Sequence, residues 1–294
     1  MHAVLTALTD ELKRLKAAGV TTVSVSDESL AALKRVAGSR KKKAPAAAAK
    51  NFAEEKNPAI PAAATSLPQP AAVSAIPPPP SVTLPAGDKR TRWTALQKRI
   101  LGDEVCRAHV RPGKQVVFGV GSLDARIFFC GEAPGADEEE QGEPFVGPAG
   151  QLLNKMIQAM GLRREEVYIG NIMNWRPEMP TAFGNRPPTA EEIAYCLPFL
   201  CAQVEIVDPA IIVALGATAA KGLFGANSFK SLGEIRGQWK QFAGKPVMVT
   251  YHPSYLLHND SRRAKRAVWE DLLKVMERAQ LSVSDKQRGY FLEK

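Results

Sequence analysis

The chain has few cysteines and no long hydrophobic run. It contains four cysteines, namely Cys106, Cys130, Cys196 and Cys201. None of them forms a Cys-x-x-Cys pair, which excludes the commonest zinc and thiol-redox motifs. No segment stays apolar over the roughly 20 residues that a membrane helix needs. The first residues include Asp10, Glu11 and Lys13, where a secretory signal would need an apolar core. We therefore expect a cytoplasmic protein with reduced thiols and no membrane partner, associated with the nucleoid if it is prokaryotic.

Positive charge and apolar residues are both present in quantity. The 294 residues suffice for one large domain or two ordinary ones, and the hydrophobic share of 45% allows a real core. Lys and Arg together number 39 against 30 Asp and Glu, so the formal net charge is +9. Such an excess favours a polyanionic partner, although a basic tail on a neutral domain would give the same total.

The first 90 residues differ in composition from the rest of the chain. Amphipathic patterns over residues 5–15 and 26–36 predict two short helices, so we interpret residues 1–39 as a small helical appendage and a candidate site for a protein partner. The basic run Arg40-Lys-Lys-Lys43 then leads into a segment dominated by Ala and Pro. Because such a segment buries too little apolar surface to offset its ordering entropy, residues 40–90 are predicted to be a disordered basic linker.

Residues 91–280 alternate short apolar strands with amphipathic helices. Four strands are predicted, at residues 125–130, 167–171, 210–215 and 246–251. Helices follow them, and one begins at a capping box formed by Thr189 and Glu192. Strands that alternate with helices predict a three-layer α/β/α domain, doubly wound around a four-stranded, mostly parallel sheet. Residues 281–294 are interpreted as a C-terminal tail.

Polar side chains stand at the carboxyl ends of three predicted strands. Glu132 follows the first strand, Asn171 closes the second and His252 closes the fourth. Ligands of doubly wound folds bind beyond the carboxyl ends of the strands. The sequence therefore predicts one site at one rim of the sheet, with these three groups facing it.

The segments around these positions resemble a known family. They are Cys130-Gly-Glu-Ala-Pro-Gly135, Pro144-Phe-Val-Gly-Pro-Ala-Gly150, Asn171 and His252-Pro-Ser254. In this order, over roughly residues 104–278, they resemble the uracil-DNA glycosylase superfamily and most closely its family 4. The resemblance implies an enzyme that acts on DNA containing uracil, and we expect a monomer. It would hydrolyse the N-glycosidic bond without a covalent enzyme intermediate and leave an abasic site.

The resemblance also implies a role for each pocket residue. His252 would donate a hydrogen bond to uracil O2 as charge develops there. Asn171 would accept from N3–H and donate to O4, and Phe145 would stack on the flipped base. Glu138 would orient or activate the attacking water, and Glu132 would help to shape the pocket for water and base.

Each of these residues also has an ordinary structural interpretation. A histidine before a proline at a strand end can be structural, Asn171 can cap a strand, and Phe145 can belong to the core. Glu138 lies in the acidic run 137–140, for which a solvated loop is the default. Their occurrence together, in the family's order, favours the glycosylase.

DNA contacts are predicted at two helix starts and after the His-Pro-Ser motif. The residues are Gly147, Gly150, Gln151, Gly216, Thr218, Ser254, Leu257 and Arg262. Backbone amides at helix starts can bind phosphates, although glycines there can also serve only to permit a tight turn. Leu257 resembles the residue that the family wedges into the duplex. Arg262 opens a basic run suited to phosphates, unless that helix face is merely solvated.

The cysteine pattern departs from the resemblance. Family 4 enzymes hold a 4Fe-4S cluster on four cysteines, of which two form a Cys-x-x-Cys pair. Here Cys106 and His109 stand at that pair, Trp175 replaces the third ligand, and only Cys196 matches the fourth. We therefore predict no metal and no cofactor, with Trp175 filling the volume by apolar packing. A cluster on the non-standard set Cys106, His109, Cys196 and Cys201 stays open as the alternative.

Two other functions are compatible with the same motifs. One is a glycosylase for another deaminated base, such as hypoxanthine or xanthine, because sequence does not show how the Asn171 amide is oriented. The other is a non-catalytic DNA-binding protein on the same fold, whose N-terminal region would carry the function.

Overall fold

The computed structural model describes residues 76–178 and 185–292. The helices predicted within residues 1–39, and residues 40–75 of the predicted linker, lie outside these ranges. Among the described helices, none is long and apolar enough to cross a membrane.

A mixed sheet lies at the centre of the described domain. Its strands are β1 (Val120–Gly121), β2 (Ile127–Gly131), β3 (Tyr168–Asn171), β4 (Ile211–Leu215), β5 (Trp239–Phe242) and β6 (Lys245–Thr250), in the spatial order β1-β3-β2-β4-β6-β5. The four central strands are parallel, with Gly131 opposite Asn171 and Leu215 opposite Thr250. The two edge strands, β1 and β5, are antiparallel to their neighbours.

The doubly wound α/β fold and its four parallel strands are confirmed, but the sheet has six strands rather than four. β1 contains two residues, too few to show any alternation. β5 exposes Lys240 and Gln241 and joins β6 through a two-residue turn, in which Ala243 and Gly244 have φ of 47° and 73°. Polar edge strands of this kind carry a weak apolar pattern, which is why the sequence did not reveal them.

Helices cover both faces of the sheet. The described α-helices are α1 (Lys89–Leu101), α2 (Glu104–Ala108), α3 (Ala136–Gln141), α4 (Pro148–Ala159), α5 (Ala190–Val207), α6 (Gly216–Phe224), α7 (Leu232–Ile235), α8 (Pro253–His258), α9 (Arg262–Arg278) and α10 (Asp285–Arg288). A short 3-10 helix spans Arg164–Glu166. The predicted capping box is confirmed, since Thr189 accepts from Glu192 N–H at 3.2 Å and Glu192 accepts from Thr189 N–H at 2.6 Å.

Two apolar layers sandwich the sheet. On one face α4 and α9 contribute side chains such as Leu153 and Leu272, which share a cluster with Phe129 of β2. On the other face α5 and α6 contribute Leu200 and Leu223 to a second cluster. All residues of β2, β3 and β4 are buried, as expected for parallel strands covered on both sides.

The predicted linker ends earlier than residue 90. Within residues 76–88, Ile76, Val82 and Leu84 pack against a third apolar cluster beside the sheet. Arg99 of α1 also donates to the carbonyl of Ser81 at 2.6 Å. Isolated apolar residues in a proline-rich segment do not change its average composition, so composition alone placed this boundary too late.

The predicted C-terminal tail also belongs, over its described part, to the fold. Leu281 and Tyr290 pack against the first cluster. Trp269 of α9 donates to the carbonyl of Gln287 at 2.6 Å, and Gln287 donates to the carbonyl of Ala159 at 2.8 Å. Residues 281–292 therefore fasten α9 to α4 instead of trailing from the domain.

Candidate active site

A cavity of about 580 Å³ opens beyond the carboxyl ends of β2, β3, β4 and β6. Its wall includes ten of the predicted site residues: Glu132, Glu138, Phe145, Gly147, Asn171, Gly216, Thr218, His252, Ser254 and Leu257. The three that do not line it are Gly150, Gln151 and Arg262. The volume lies in the range typical of small-molecule sites. The structure therefore brings the three predicted strand-end groups together at one rim.

Asn171 ends β3 and presents an unpaired amide oxygen. Its side chain is buried, and its Oδ1 has no hydrogen-bond partner among the described residues. A buried acceptor left without a donor costs roughly 1–3 kcal/mol, so such atoms in native proteins need an explanation. Gly131 of β2 leaves the space beside it, because a Cβ there would lie 2.3 Å from Asn171 Oδ1 and 2.5 Å from Phe145 Cζ. This acceptor is therefore placed to receive an N–H from a bound molecule.

Phe145 forms an aromatic wall of the cavity in an unusual backbone conformation. Its φ is 56°, in the left-handed region that bulky residues rarely adopt. Its ring centroid lies 5.7 Å from that of His252, with the two planes inclined by 31°. A Cβ on Gly150 would lie 1.9 Å from the Phe145 carbonyl oxygen. Gly150 therefore permits close packing of this loop on α4, and its predicted contact with DNA stays a prediction.

Glu138 of α3 holds the loop that carries Phe145. Its Oε1 accepts from the N–H groups of Val146 at 3.0 Å and Gly147 at 2.9 Å, and its Oε2 accepts from Gly135 N–H at 3.0 Å. The Gly147 amide, a predicted phosphate contact, is thus already bonded inside the protein. A carboxylate has about four acceptor positions, so Glu138 keeps capacity for a water molecule.

Glu132 follows β2 and faces α6 across the cavity. Burial raises the pKa of its carboxyl above the usual range, and a hydrogen bond with the Thr218 side chain offsets part of that effect. Thr218, which the sequence predicts as a DNA contact, lines the cavity together with Glu132. Gly216, at the start of α6, also lines this wall. Its φ is 92°, and a Cβ there would lie 3.0 Å from His252 Cβ, so a larger residue would press on the histidine.

His252 is held as one tautomer by the start of α8. Its Nδ1 lies 3.2 Å from the backbone nitrogen of Ser254 and 2.8 Å from the Ser254 hydroxyl. Because a backbone N–H can only donate, Nδ1 is the acceptor and Nε2 carries the proton of the neutral ring. Burial lowers the pKa of His252 from 6.5 to about 4. The side chain is therefore a neutral N–H donor at neutral pH.

The lowered pKa of His252 predicts a pH dependence of stability. The unfolded chain binds a proton near pH 6.5 and the folded chain only near pH 4, so stability is highest above pH 6.5 and is lost as the pH falls toward 4. Between neutral pH and pH 4, we expect the free energy of unfolding to fall by about 2 kcal/mol less in His252→Gln than in the unaltered protein. This value is smaller than the full pKa shift would give, because the ring is partly open to the cavity. Urea unfolding of both proteins at neutral and acid pH measures this. Equal losses in the two proteins would contradict the assignment.

Some of the remaining predicted DNA contacts, and of the basic residues that follow Arg262, are exposed, whereas others are bonded within the protein. Leu257 is 47% exposed at the mouth of the cavity. Arg262 is exposed at the start of α9 and has no ion pair among the described residues. Lys265 pairs with Asp260 at 2.5 Å, and Arg266 bonds Glu270 and two carbonyls of the C-terminal segment. Gln151 donates to the Val146 carbonyl at 3.1 Å, which makes it part of the loop support.

Sequence reasoning missed several residues on the cavity wall. Asp137, Asn185 and Arg186 line it, and Arg186 makes two bonds of 2.6 and 2.7 Å to Glu192 of the capping box. Nothing in the spacing of these residues placed them at the site.

The region that would hold an iron-sulfur cluster is filled by side chains. Trp175 is fully buried there, and the ring of His109 stacks on it with a centroid distance of 5.0 Å. Cys106 and Cys196 are both buried, and the neighbouring Cys196 thiol together with burial raises the pKa of the Cys106 thiol. A thiol must lose its proton to ligate a metal, and a raised pKa opposes that loss. The described residues contain no group of three or more His, Cys, Asp or Glu side chains able to hold a metal ion, so the alternative set with Cys201 is not brought together.

The fold is therefore a doubly wound α/β domain whose one rim carries a cavity lined by an unpaired amide oxygen, a neutral imidazole and an aromatic ring. Residues 118–273 match the sequence model of the uracil DNA glycosylase superfamily. The chain belongs to that superfamily.

Individual relatives agree with the family match. The chain is 44% identical over 182 residues to the type-4 uracil-DNA glycosylase of Thermotoga maritima, an alignment that covers 61% of this chain and 90% of that protein. It is 40% identical over 174 residues to the type-4 uracil-DNA glycosylase of Archaeoglobus fulgidus, covering 57% and 84%. It is also 31% identical over 174 residues to a type-5 uracil-DNA glycosylase of Pyrobaculum aerophilum, covering 54% and 73%.

Proposed function

We infer that the protein is a uracil-DNA glycosylase, a hydrolase that releases uracil from DNA and leaves an abasic site. The observation that carries this inference is the unpaired Oδ1 of Asn171, set in a cavity beside the Phe145 ring and the imidazole of His252. The family match and the type-4 relatives support the same reaction.

The hydrogen-bonding pattern of Asn171 complements uracil. N3–H of the base donates to Oδ1 and O4 accepts from the side-chain NH2, while the ring stacks on Phe145. Cytosine has an acceptor at N3 and a donor at N4. Its N3 would therefore face the acceptor Oδ1, and its amino group would face the donor NH2 of Asn171. Sites that pair buried polar groups discriminate strongly because the wrong ligand leaves those groups unpaired.

Excision follows a dissociative path. As the C1′–N1 bond breaks, negative charge develops on uracil O2, and Nε2–H of His252 stabilises it in a partly enclosed cavity. Water then adds its oxygen to the cationic C1′ of the sugar and releases a proton, and the uracil anion takes up one proton to leave as neutral uracil. We assign Glu138 to orienting or activating this water and Glu132 to shaping the space around it. No lysine lines the cavity among the described residues, so no nucleophilic amine is assigned.

DNA binding is assigned to the rim of the cavity. We propose that Leu257 enters the space left by the flipped base, with Ser254 and the Gly216 backbone beside it at the mouth. Arg262, exposed and without an ion pair in the described part of the chain, provides a phosphate contact.

An excision assay on a panel of lesions tests the function. Protein is incubated with oligonucleotides that carry one uracil, hypoxanthine or xanthine, single-stranded and in duplexes, and then treated with alkali. Cleavage at uracil is the expected result. Cleavage only at hypoxanthine or xanthine would transfer the function to another deaminated base, and binding without any cleavage would leave a DNA-binding protein.

We further propose that the enzyme works without an iron-sulfur cluster. The fully buried Trp175, the stacked His109 and the buried thiols of Cys106 and Cys196 fill the space where a cluster would otherwise connect the elements.

The absence of a cluster predicts a low iron content, which can be measured. Protein purified without oxygen should contain far less than one iron per chain and should keep its excision rate after treatment with a chelator. Iron and acid-labile sulfide are measured in the preparation that is assayed. About four irons per chain, with activity lost on their removal, would contradict the proposal.

Several assignments from the sequence stay predictions. They are the monomeric state, the cytoplasmic location, and a helical appendage at residues 1–39 with a protein partner. We keep the division into appendage, linker and catalytic domain, with the domain now beginning by residue 76.

A further inference from the structure

The loop that carries Phe145 is fixed from two sides. It spans residues 142–147 between α3 and α4, and Phe145 has φ of 56° within it. A bulky residue in this conformation costs on the order of 1–3 kcal/mol, so the surroundings must enforce it. Glu138 holds the amide side of the loop by its bonds to Val146 and Gly147.

Arg164 holds the carbonyl side of the same loop. Its Nη2 donates to the Pro144 carbonyl at 2.6 Å, and its Nη1 donates to the Phe145 carbonyl at 3.2 Å. Nη1 also donates to Asn154 Oδ1 at 2.9 Å, which ties the guanidinium to α4. One planar group thus bridges two consecutive carbonyls and the helix that follows them.

The position of Arg164 separates it from the substrate. It belongs to the 3-10 helix before β3, and it does not line the cavity. Burial lowers the pKa of its guanidinium, while the charges of Glu143, Glu165 and Glu138 raise it. An arginine remains protonated at neutral pH, so it can act only as a hydrogen-bond donor and a fixed charge.

We propose that Arg164 is a positioning residue for uracil excision, which acts by holding the Phe145 ring in the orientation that stacks on the flipped base. The proposal rests on the proposed function. A lysine would not replace the guanidinium, because a single ammonium lacks the planar fork that reaches both carbonyls and Asn154. A small displacement of a stacking ring is enough to reduce the rate of a reaction that depends on orientation.

The proposal predicts a loss of rate in Arg164→Ala. Under single-turnover conditions, with enzyme in excess over a uracil oligonucleotide, the excision rate should fall on the order of 10- to 100-fold. Affinity for DNA containing an abasic site should change much less. Guanidinium ion at low millimolar concentration should restore part of the rate. The matched control is Arg163→Ala, which removes the exposed neighbour that pairs with Glu166 and should leave the rate unchanged.

A double-mutant cycle tests whether the effect passes through Phe145. Arg164→Ala should cost little further rate in a Phe145→Ala background, because the ring it positions is absent. Independent, multiplicative losses would overturn the proposal, and so would a rate for Arg164→Ala equal to that of the control. If Arg164→Ala does not fold, as judged by thermal unfolding, Arg164→Lys takes its place and should show the same non-additivity.

These outcomes are distinguishable from failure of the proposed function. If the unaltered protein releases no uracil, the proposed function is wrong. Active unaltered protein with an equally active Arg164 variant would overturn only the role of Arg164.

Discussion

Replacing His252 by alanine is expected to lower the single-turnover rate of uracil excision by about 10²–10³-fold, the usual cost of removing one donor to a developing oxyanion. The substitution removes the Nε2–H donor but leaves the amide of Asn171 and the ring of Phe145 in place. Affinity for uracil DNA should therefore change far less than the rate. Rapid-quench measurement of abasic-site formation, with enzyme in excess, gives the rate without interference from product release.

His258→Ala is the matched control for this prediction. His258 ends the same short helix, and it is exposed at the surface. Its removal should leave the rate within a few-fold of that of the unaltered protein. A rate for His252→Ala within that same range would show that the imidazole does not stabilise the leaving base, and the assignment of the oxyanion role would be wrong.

Asn171→Asp is expected to reduce uracil excision by about 10³-fold or more. The aspartate still offers an acceptor to N3–H, but it cannot donate to O4 and places a buried negative charge against that oxygen. The ratio of uracil to cytosine excision should fall as well, since a carboxylate can accept from the cytosine amino group. Parallel assays on uracil and cytosine oligonucleotides measure both effects.

One outcome would contradict this prediction. If Asn171→Asp folds, binds DNA with an abasic site as the unaltered protein does and still excises uracil at the original rate, Asn171 does not read the base edge. The unpaired Oδ1 would then need another explanation.

The strand-end residues could be placed from the sequence because the fold leaves little choice. Parallel strands end at one rim, so a glutamate, an asparagine and a histidine that follow three of them must approach one another. Glu132, Asn171 and His252 line the same cavity for this reason. The start of a helix could also be predicted where a capping box, such as that of Thr189 and Glu192, marks it in the sequence.

The loop residues could not be placed in the same way, because their roles depend on contacts between distant segments. Two amide bonds of Glu138, from Val146 and Gly147, join α3 to the start of α4, and an acidic run gives no hint of them. The left-handed φ of Phe145 depends on packing against Gly150 and on Arg164, which lies 19 residues further along the chain. Tertiary contacts of this kind have no local periodicity or spacing.

The edges of the domain were misjudged for a related reason. Ile76 and Tyr290 are single apolar residues in segments that look like linker and tail, yet both pack on the core. A pattern that averages over a window cannot detect one anchoring side chain. The filled space around Trp175, in contrast, could be anticipated, because a tryptophan side chain cannot ligate iron and its large ring occupies the volume.

The most direct test of the account is the release of free uracil from a DNA oligonucleotide that carries one deoxyuridine. Uracil and abasic sites are quantified together under single-turnover conditions. We expect one uracil released for each abasic site formed, with no release from a matched oligonucleotide that carries cytosine. Purified, folded protein that binds this DNA and releases no uracil would contradict it.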